Sequence, residues 1–357
     1  MVKVAVVGIG NCFAGLYQGL EYYRRTNNTV TGIMHQTIGP YSWKDIDFVA
    51  GFDVSKHKVG KDLVQAQYAK PNYVEYVTDI ADSGVIVKEA PKMDGVGKYV
   101  EDWFDPVEQT KTDDELRQEI IQEINDKQVE VIVNYLPVGS QKAVEFWAGI
   151  ALETKCAFVN CMPVFIASNE EWNDKFKTAG VPIIGDDIKS QVGATIIHRT
   201  LAKLCDDRGA VLENTYQLNV GGNTDFKNML ERKRLISKKI SKTESVQSQL
   251  SERLPDDQIH IGPSDFVPYL KNTKLCFLNI NANSWANIPF KIDLKLEVDD
   301  KANSAGIVVD AIRLAKLALD RKQGGSIDSA SAYLMKHPRV QMSDPVARTK
   351  LEEFIKS

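Results

Sequence analysis

The chain has 357 residues, 43% of them hydrophobic and 26% charged, the composition of a globule with a sizeable core and not of a disordered, fibrous or short peptide module. Its 44 Lys and Arg against 48 Asp and Glu leave a net charge of -4, which offers no field for gripping a phosphate backbone and argues against a nucleic-acid partner. No apolar run approaches the roughly 20 residues of a membrane span, and Met1-Val2-Lys3 leads directly into a core strand, so a cytoplasmic protein away from membranes is expected.

Val2 to Val7 is a nearly continuous apolar run that ends in Gly8-Ile9-Gly10, as a parallel strand buried on both faces reads. A helix follows, with Leu16, Leu20 and Tyr23 at near-helical spacing and a stop at Thr26-Asn27-Asn28. The polar segment Thr29 to Asp45, with Gly39-Pro40, reads as a surface insertion before the second strand, Ile46 to Phe52, which ends in Asp53. From Val85 to Pro106 the pattern is irregular, and this stretch is read as a flap over a site. Then follow helix Asp113 to Lys127, strand Val129 to Asn134, loop Leu136 to Ser140, helix Gln141 to Glu153, strand Ala157 to Cys161, a helix around Glu170 to Thr178, and strand Val181 to Gly185. Short apolar strands alternating with helices predict an α/β, doubly wound parallel sheet.

After Gly209 the strands lengthen: Val211 to Val220, Leu275 to Ala282 and Phe290 to Val298, the last alternating apolar and charged. Between the first two lies a charged helical stretch, Phe226 to Leu254. Two helices, Gly306 to Asp320 and Ile327 to Lys336, are predicted to close the chain.

Three constellations carry chemistry. The turn Gly8-Ile9-Gly10-Asn11-Cys12-Phe13 joins strand to helix, where glycines let the backbone approach a pyrophosphate facing a helix N-terminus. Phe13 stands in place of the third glycine, and the acidic Asp53 follows an insertion; an acid at that strand end favours NAD over NADP. A bare strand-helix turn without ligand is the alternative. Next, Gly185-Asp186-Asp187-Ile188-Lys189-Ser190-Gln191-Val192-Gly193-Ala194-Thr195 would place Ser190, Gly193 and Thr195, with Lys189 beside them, at a helix N-terminus suited to a phosphate monoester; the alternative is an aspartate that merely caps the helix. Third, Lys238 and Lys242 share one helix face at i, i+4, where like charges repel unless an anion sits between them. Lys274 and Lys336 join this set, and the polar run Asn219 to Asp225 leads into it. Surface lysines in water are the alternative. Cys12, Cys156, Cys161, Cys205 and Cys276 form no Cys-x-x-Cys pair, and the five histidines show no two-ligand spacing, so neither disulfides nor a metal centre is expected.

Over nearly its whole length the chain resembles the inositol-1-phosphate synthase family in its shorter prokaryotic form. The likeness rests on Gly8-Ile9-Gly10-Asn11, Asn134 to Ser140, Asn160-Cys161-Met162-Pro163, Gly185 to Gln191, Asn219 to Asp225 and Asn303-Ser304-Ala305-Gly306. It implies a Rossmann-like NAD-binding domain of residues 1–195 and 305–357, with an inserted α+β domain, 196–304, for catalysis and tetramer contacts. The implied reaction is the NAD-dependent conversion of D-glucose 6-phosphate to 1D-myo-inositol 3-phosphate (L-myo-inositol 1-phosphate): oxidation at C5, enolisation, intramolecular aldol cyclisation and re-reduction. By carry-over, Gly8, Gly10, Asn11, Cys12, Asp53, Cys161, Met162, Asp187, Asn223, Asp225 and Asp300 are cofactor contacts. Lys238, Lys274, Lys336 and Asp187 are catalytic, with Lys238 moving the proton at the C5 oxygen, and Ser190, Asn219 and Lys242 bind substrate. A divalent or monovalent cation is an open addition. The eukaryotic forms read Ser-Gly-Gln-Thr where this chain has Ser190-Gln191-Val192-Gly193. The competing readings are an NAD-dependent sugar-phosphate or amino-acid dehydrogenase with net redox change, and a non-catalytic NAD-binding sensor.

Overall fold

The computed structural model describes residues 1–26 and 29–357; the helix stop placed at Asn27 and Asn28 lies outside the described residues. The first half runs β1 (Val2–Val7), α1 (Asn11–Thr26), β2 (Thr37–Ile38), β3 (Tyr41–Ser42), β4 (Ile46–Asp53), α2 (Leu63–Tyr68), β5 (Lys88–Glu89), α3 (Glu101–Phe104), α4 (Asp113–Asp126), β6 (Val131–Asn134), α5 (Gln141–Thr154), β7 (Ala157–Asn160), α6 (Glu170–Ala179) and β8 (Pro182–Ile184). The second half runs α7 (Ala194–Asp207), β9 (Val211–Gly221), α8 (Thr224–Asn228), α9 (Ile236–Gln247), β10 (Ile259–Phe266), β11 (Thr273–Asn283), β12 (Pro289–Asp299), α10 (Ala302–Asp320), β13 (Gly325–Ser326), α11 (Asp328–Leu334) and α12 (Asp344–Lys356).

The main sheet has the order β13-β8-β7-β6-β1-β4-β5, with neighbouring strands parallel. Successive side chains of a strand face opposite ways. Val4 and Val6 of β1 therefore enter one core with α1 and α10, while Ala5 and Val7 enter another with Ile120 of α4 and Trp147 of α5. Strand order reverses between β1 and β6, which opens a crevice beyond their C-terminal ends, the place where such sheets bind ligands. The sheet is the Rossmann-like doubly wound arrangement expected.

A second sheet, β10-β9-β11-β12, is parallel between β10 and β9 and antiparallel elsewhere. Helices α7 and α9 cover its inner face through Ala202, Cys205, Val246, Cys276, Leu278 and Ile280. Its outer face carries Tyr216 and Phe277, each about two-fifths exposed (40% and 41%).

Four expectations are corrected. The segment before β4 lies at the surface only in part: Ile38 and Trp43 are buried, and Arg313 of α10 donates to the carbonyls of His35 and Gln36 at 2.8 and 3.0 Å. Gly306 is obligatory there, since a Cβ would fall 1.6 Å from the Gly32 carbonyl oxygen. The charged stretch after Phe226 is not one helix but α8, a 3-10 turn at Arg232–Leu235, and α9. Strand β10 was not anticipated, because Gly262 and Pro263 read as a loop; an edge strand with a register shift tolerates both. Nor was α12, which buries Ala347 and Leu351 behind an otherwise charged sequence.

Candidate active site

β1 ends where the chain must turn at once into α1. Gly8 has φ +87, and a Cβ on it would come within 3.0 Å of the Tyr135 carbonyl oxygen, so glycine is required. Beyond Gly10 there is open space, which leaves the first N–H groups of α1 facing the crevice. Phe13 fills the room of the missing glycine as a core side chain, edge-on to Phe48 at 5.1 Å. Asn11 accepts from the Tyr73 N–H at 2.6 Å, while its buried Nδ2 has no partner. An unpartnered donor, a glycine approach and a helix N-terminus together fit the phosphates of a dinucleotide.

Asp53 lines the same crevice, but its carboxylate is occupied. Oδ2 accepts from the Ile9 N–H at 2.8 Å, Oδ1 accepts from Val54 and Ser55 N–H at 2.8 and 3.0 Å, and buried Lys58 stands 3.4 Å from Oδ2. The aspartate thus braces the glycine turn as well as facing the cleft. Lys58 lessens the repulsion a bare carboxylate would offer, and only its place five residues beyond Asp53 hinted at it.

The second wall is the segment after β8. Asp186 points away from the cleft, its carboxylate accepting from Asn160 Nδ2 and the N–H groups of Ile166, Ala167 and Ser168. Asp187 points in. The backbone here pairs with the stretch after α11: Lys336 N–H donates to the Asp187 carbonyl at 2.7 Å and Lys189 N–H to the Leu334 carbonyl at 2.8 Å. This pairing delivers Lys336, whose Nζ lies 2.9 Å from Asp187 Oδ1; Ser241 of α9 donates to Oδ2 at 2.7 Å. Lys189 is not beside the anion position. It is buried on the far side, donating to the Ala332 carbonyl at 2.8 Å and 3.4 Å from Asp344. Ser190 and the first turn of α7, Gly193 to Ile196, do line the cleft.

The third wall comes from the second sheet and its helices. Lys238 and Lys242 both face the cleft from α9, joined by Lys274 from β11 and Asp300 after β12. Lys238 is 3.4 Å from Asp225 and Lys274 2.9 Å from Asp300. Lys301 adds an ammonium group the sequence reading missed, 3.2 Å from the other oxygen of Asp300. Among the described residues no carboxylate pairs with Lys242. Seven lysines and four aspartates line the cleft, an excess of positive charge within a chain whose net charge is -4. Lys238, Lys242, Lys274 and Lys336 are not solvated surface side chains.

Their charges differ accordingly. Burial holds Lys242 well below the ordinary lysine value, and Lys274, Lys238 and Lys336 push the same way. Burial also lowers Lys336 and, with smaller contributions from Lys238 and Lys274, outweighs the help of Asp187. Lys238 moves up: burial opposes its charge, but Asp225, Asp187 and Asp300 outweigh it. For Asp187 and Asp300 burial favours the neutral acid, yet Lys336 and Lys238 lower the first and Lys274 and Lys301 hold the second far down.

The irregular stretch read as a flap roofs the cleft with Ala90, Pro91, Gly95, Val96 and Phe104. It is tied down on both sides. Asp94 caps α5 by accepting from Lys142 and Ala143 N–H, and Lys227 sits 3.6 Å over the Trp103 ring. Of the sequence-predicted contacts, Gly8, Gly10, Asn11, Cys12, Asp53, Cys161, Met162, Asp187, Ser190, Asp225, Lys238, Lys242, Lys274, Asp300 and Lys336 share this one cavity. Asn219 and Asn223 do not line it. Asn219 donates to the Gly262 carbonyl inside the second sheet, and Asn223 caps α8 through the N–H groups of Asp225 and Phe226.

Fold and cleft define a Rossmann-type α/β protein with a lysine-rich crevice at the switch point of its sheet. A family model described as myo-inositol-1-phosphate synthase matches residues 193–301. The chain is 49% identical to the inositol-3-phosphate synthase of Mycolicibacterium smegmatis and 48% identical to that of Corynebacterium glutamicum, covering 99% of this chain and 98% of each relative. The chain belongs to the inositol-3-phosphate synthase family and is an enzyme of that kind. In fold it is similar to a myo-inositol-1-phosphate synthase-related protein from Thermotoga maritima, with a TM-score of 0.84 at 23% identity over 100% of this chain and 98% of that one. Among the described residues no helix is long and apolar enough to cross a membrane.

Proposed function

We propose that the chain converts D-glucose 6-phosphate to 1D-myo-inositol 3-phosphate with NAD held throughout the cycle. The observation that carries this reading is that the glycine turn and the lysine cluster open into one cavity, so a hydride carrier and a group of oxyanion-stabilising ammoniums reach the same substrate. Bound NAD would supply the hydride acceptor for C5 and afterwards the donor to it.

The chain's own residues do the rest. Ser190, the first turn of α7 and Lys242 hold the phosphate monoester, whose charge stabilises the ammonium form of Lys242. Lys336 is the better candidate for the proton of the C5 hydroxyl: its lowered affinity for a proton lets it accept one, and Asp187, 2.9 Å away, stabilises the ammonium that results. This differs from the assignment of that proton to Lys238. With three carboxylates keeping it charged, Lys238 is better suited, with Lys274, to stabilise the enolate and the alkoxide formed when that enolate attacks the C1 aldehyde. The substrate's phosphate is the base at C6, and the proton it takes there goes to the C1 alkoxide to give the new hydroxyl. Lys336 then returns its proton to the C5 oxygen.

The same reading makes residues 1–195 and 305–357 the dinucleotide-binding part and 196–304 the catalytic and tetramer-forming part of a cytoplasmic homotetramer. The partly exposed Tyr216 and Phe277, with Leu218, Val220 and Leu275 half-buried beside them, support assembly through the outer face of the second sheet. Turnover tests the function: purified chain with a trace of NAD and excess glucose 6-phosphate should form many inositol phosphates per NAD without accumulating NADH. One reduced NAD per product would indicate a dehydrogenase instead.

A further inference from the structure

Lys301 takes no part in the scheme above, yet it is a buried cleft lysine that stands directly before a helix. It immediately precedes α10 and packs on Gly15 in the early part of α1, so its charge lies near two helix N-termini, the positive ends of both dipoles. It is 5% exposed and lines the cleft. A charge placed against its surroundings needs a compensating partner. Asp300 is that partner, giving Oδ1 to Lys274 at 2.9 Å and Oδ2 to Lys301 at 3.2 Å. Asp300 and Asp225 more than offset the burial of Lys301, so its proton is held more firmly than an ordinary lysine's.

Position fixes what this charge can reach. The Lys301 backbone packs on α1 at Gly15, where a Cβ would lie 3.4 Å from the Lys301 Cβ, carbonyl carbon and oxygen. The side chain reaches Asp300 and lines the same cavity as the glycine turn and the start of α1. The second oxygen of Asp300 would repel a pyrophosphate bound at the glycine turn unless a cation stood beside it, a place that a free ammonium, potassium or divalent ion could fill.

We propose that Lys301 is a resident cation of the cofactor side of the cleft, its tethered ammonium group doing the work of a free cation beside Asp300 and Asp225, so that cofactor binding and turnover need no added ion. The proposal rests on the NAD reading given above and assigns Lys301 a positioning role, not a step in the chemistry. A tethered cation saves the entropy of capturing one from solution and cannot be removed by a chelator.

The test uses the full-length protein exchanged into a tetramethylammonium buffer, free of ammonium, alkali metal and divalent ions, whose bulky cation cannot enter a lysine-sized space. The NAD dissociation constant is measured by calorimetry and turnover by product formation, before and after addition of ammonium, potassium or magnesium. Wild-type values should move less than about twofold, whereas Lys301→Ser should lose roughly ten- to hundredfold in NAD affinity without added cation, the scale of a charge-assisted contact. Ammonium or potassium should restore most of that loss. Lys301→Met, which keeps the length without the charge, serves if the serine variant does not fold. Activation of the wild type by more than about tenfold, an unchanged variant, or a loss that no cation restores would each overturn the proposal. Wild type that does not bind NAD at all would contradict the cofactor reading instead, and if neither variant folds the wild-type arm decides.

Discussion

Lys242 should take up a proton when the substrate phosphate binds. In the empty cleft it is buried at 4% exposure, faces Lys274, Lys238 and Lys336, and among the described residues has no carboxylate partner, so its proton is held weakly. A phosphate at hydrogen-bond distance restores it: opposite unit charges about 4 Å apart attract by roughly 4 kcal/mol at an effective dielectric of 20. Part of that is consumed in recharging the buried amine, leaving the ~1.5–3 kcal/mol of a charged hydrogen bond. Lys242→Met should therefore raise KM by roughly ten- to hundredfold and change kcat much less, since this contact is shared by ground and transition states. The sign follows from linkage. Binding raises the Lys242 pKa, protons are taken up between its free and bound values, and affinity falls as pH rises through that window. Calorimetric titration with inorganic phosphate in buffers of different ionisation enthalpy, above about pH 7 where phosphate is mostly dianionic, should show uptake approaching one proton in the wild type and none in Lys242→Met. Equal uptake in both proteins, or a KM change below about threefold, would refute the assignment.

Lys238→Met should lower kcat by roughly two to four powers of ten with NAD affinity kept, because its charge serves oxyanions that form only during reaction; retention of half the wild-type rate would return it to a spectator. NAD should bind at least about tenfold more tightly than NADP, with Asp53→Asn narrowing the gap and the buried Lys58 limiting it; equal dissociation constants would contradict this. Lys189 is pushed down to about 7 by burial and by Arg199, from 10.5 when unfolded. Unfolding thus takes up a proton between those values and stability rises with pH across them; Lys189→Met should flatten that part of the Tm-against-pH curve. Light scattering should report an assembly larger than a monomer, and Phe277→Asp, on the exposed outer face of the second sheet, should weaken it.

What was legible in the sequence follows the physics of burial. The strands of the main sheet are buried on both faces and read as apolar runs, so Val2–Val7 and Ile46–Asp53 stand out. The glycine turn is legible because Gly8 has a conformation few other residues adopt. Strand β10 is hidden by its Gly262-Pro263 pair, and α12 by a buried face reduced to Ala347 and Leu351. The lysine set could not come from spacing alone: Lys336 reaches the cleft through its backbone pairing with Asp187, and Lys274 through the pairing of β11 with β9. That grouping came from family likeness. Lys301 escaped because Asp299-Asp300-Lys301 reads as a solvated charged turn, and Ser241 because a serine between two lysines gives no hint that it faces Asp187. Asn219 shows the reverse: a polar residue in a site-like run whose side chain is spent on the local fold.

The central claim is that the hydride removed from the substrate comes back to it. Glucose 6-phosphate carrying deuterium at C5, incubated with the purified chain and unlabelled NAD, should give inositol phosphate with the deuterium retained at the corresponding ring carbon. Deuterium found instead in free NADH, or inositol phosphate formed without its label, would contradict the account.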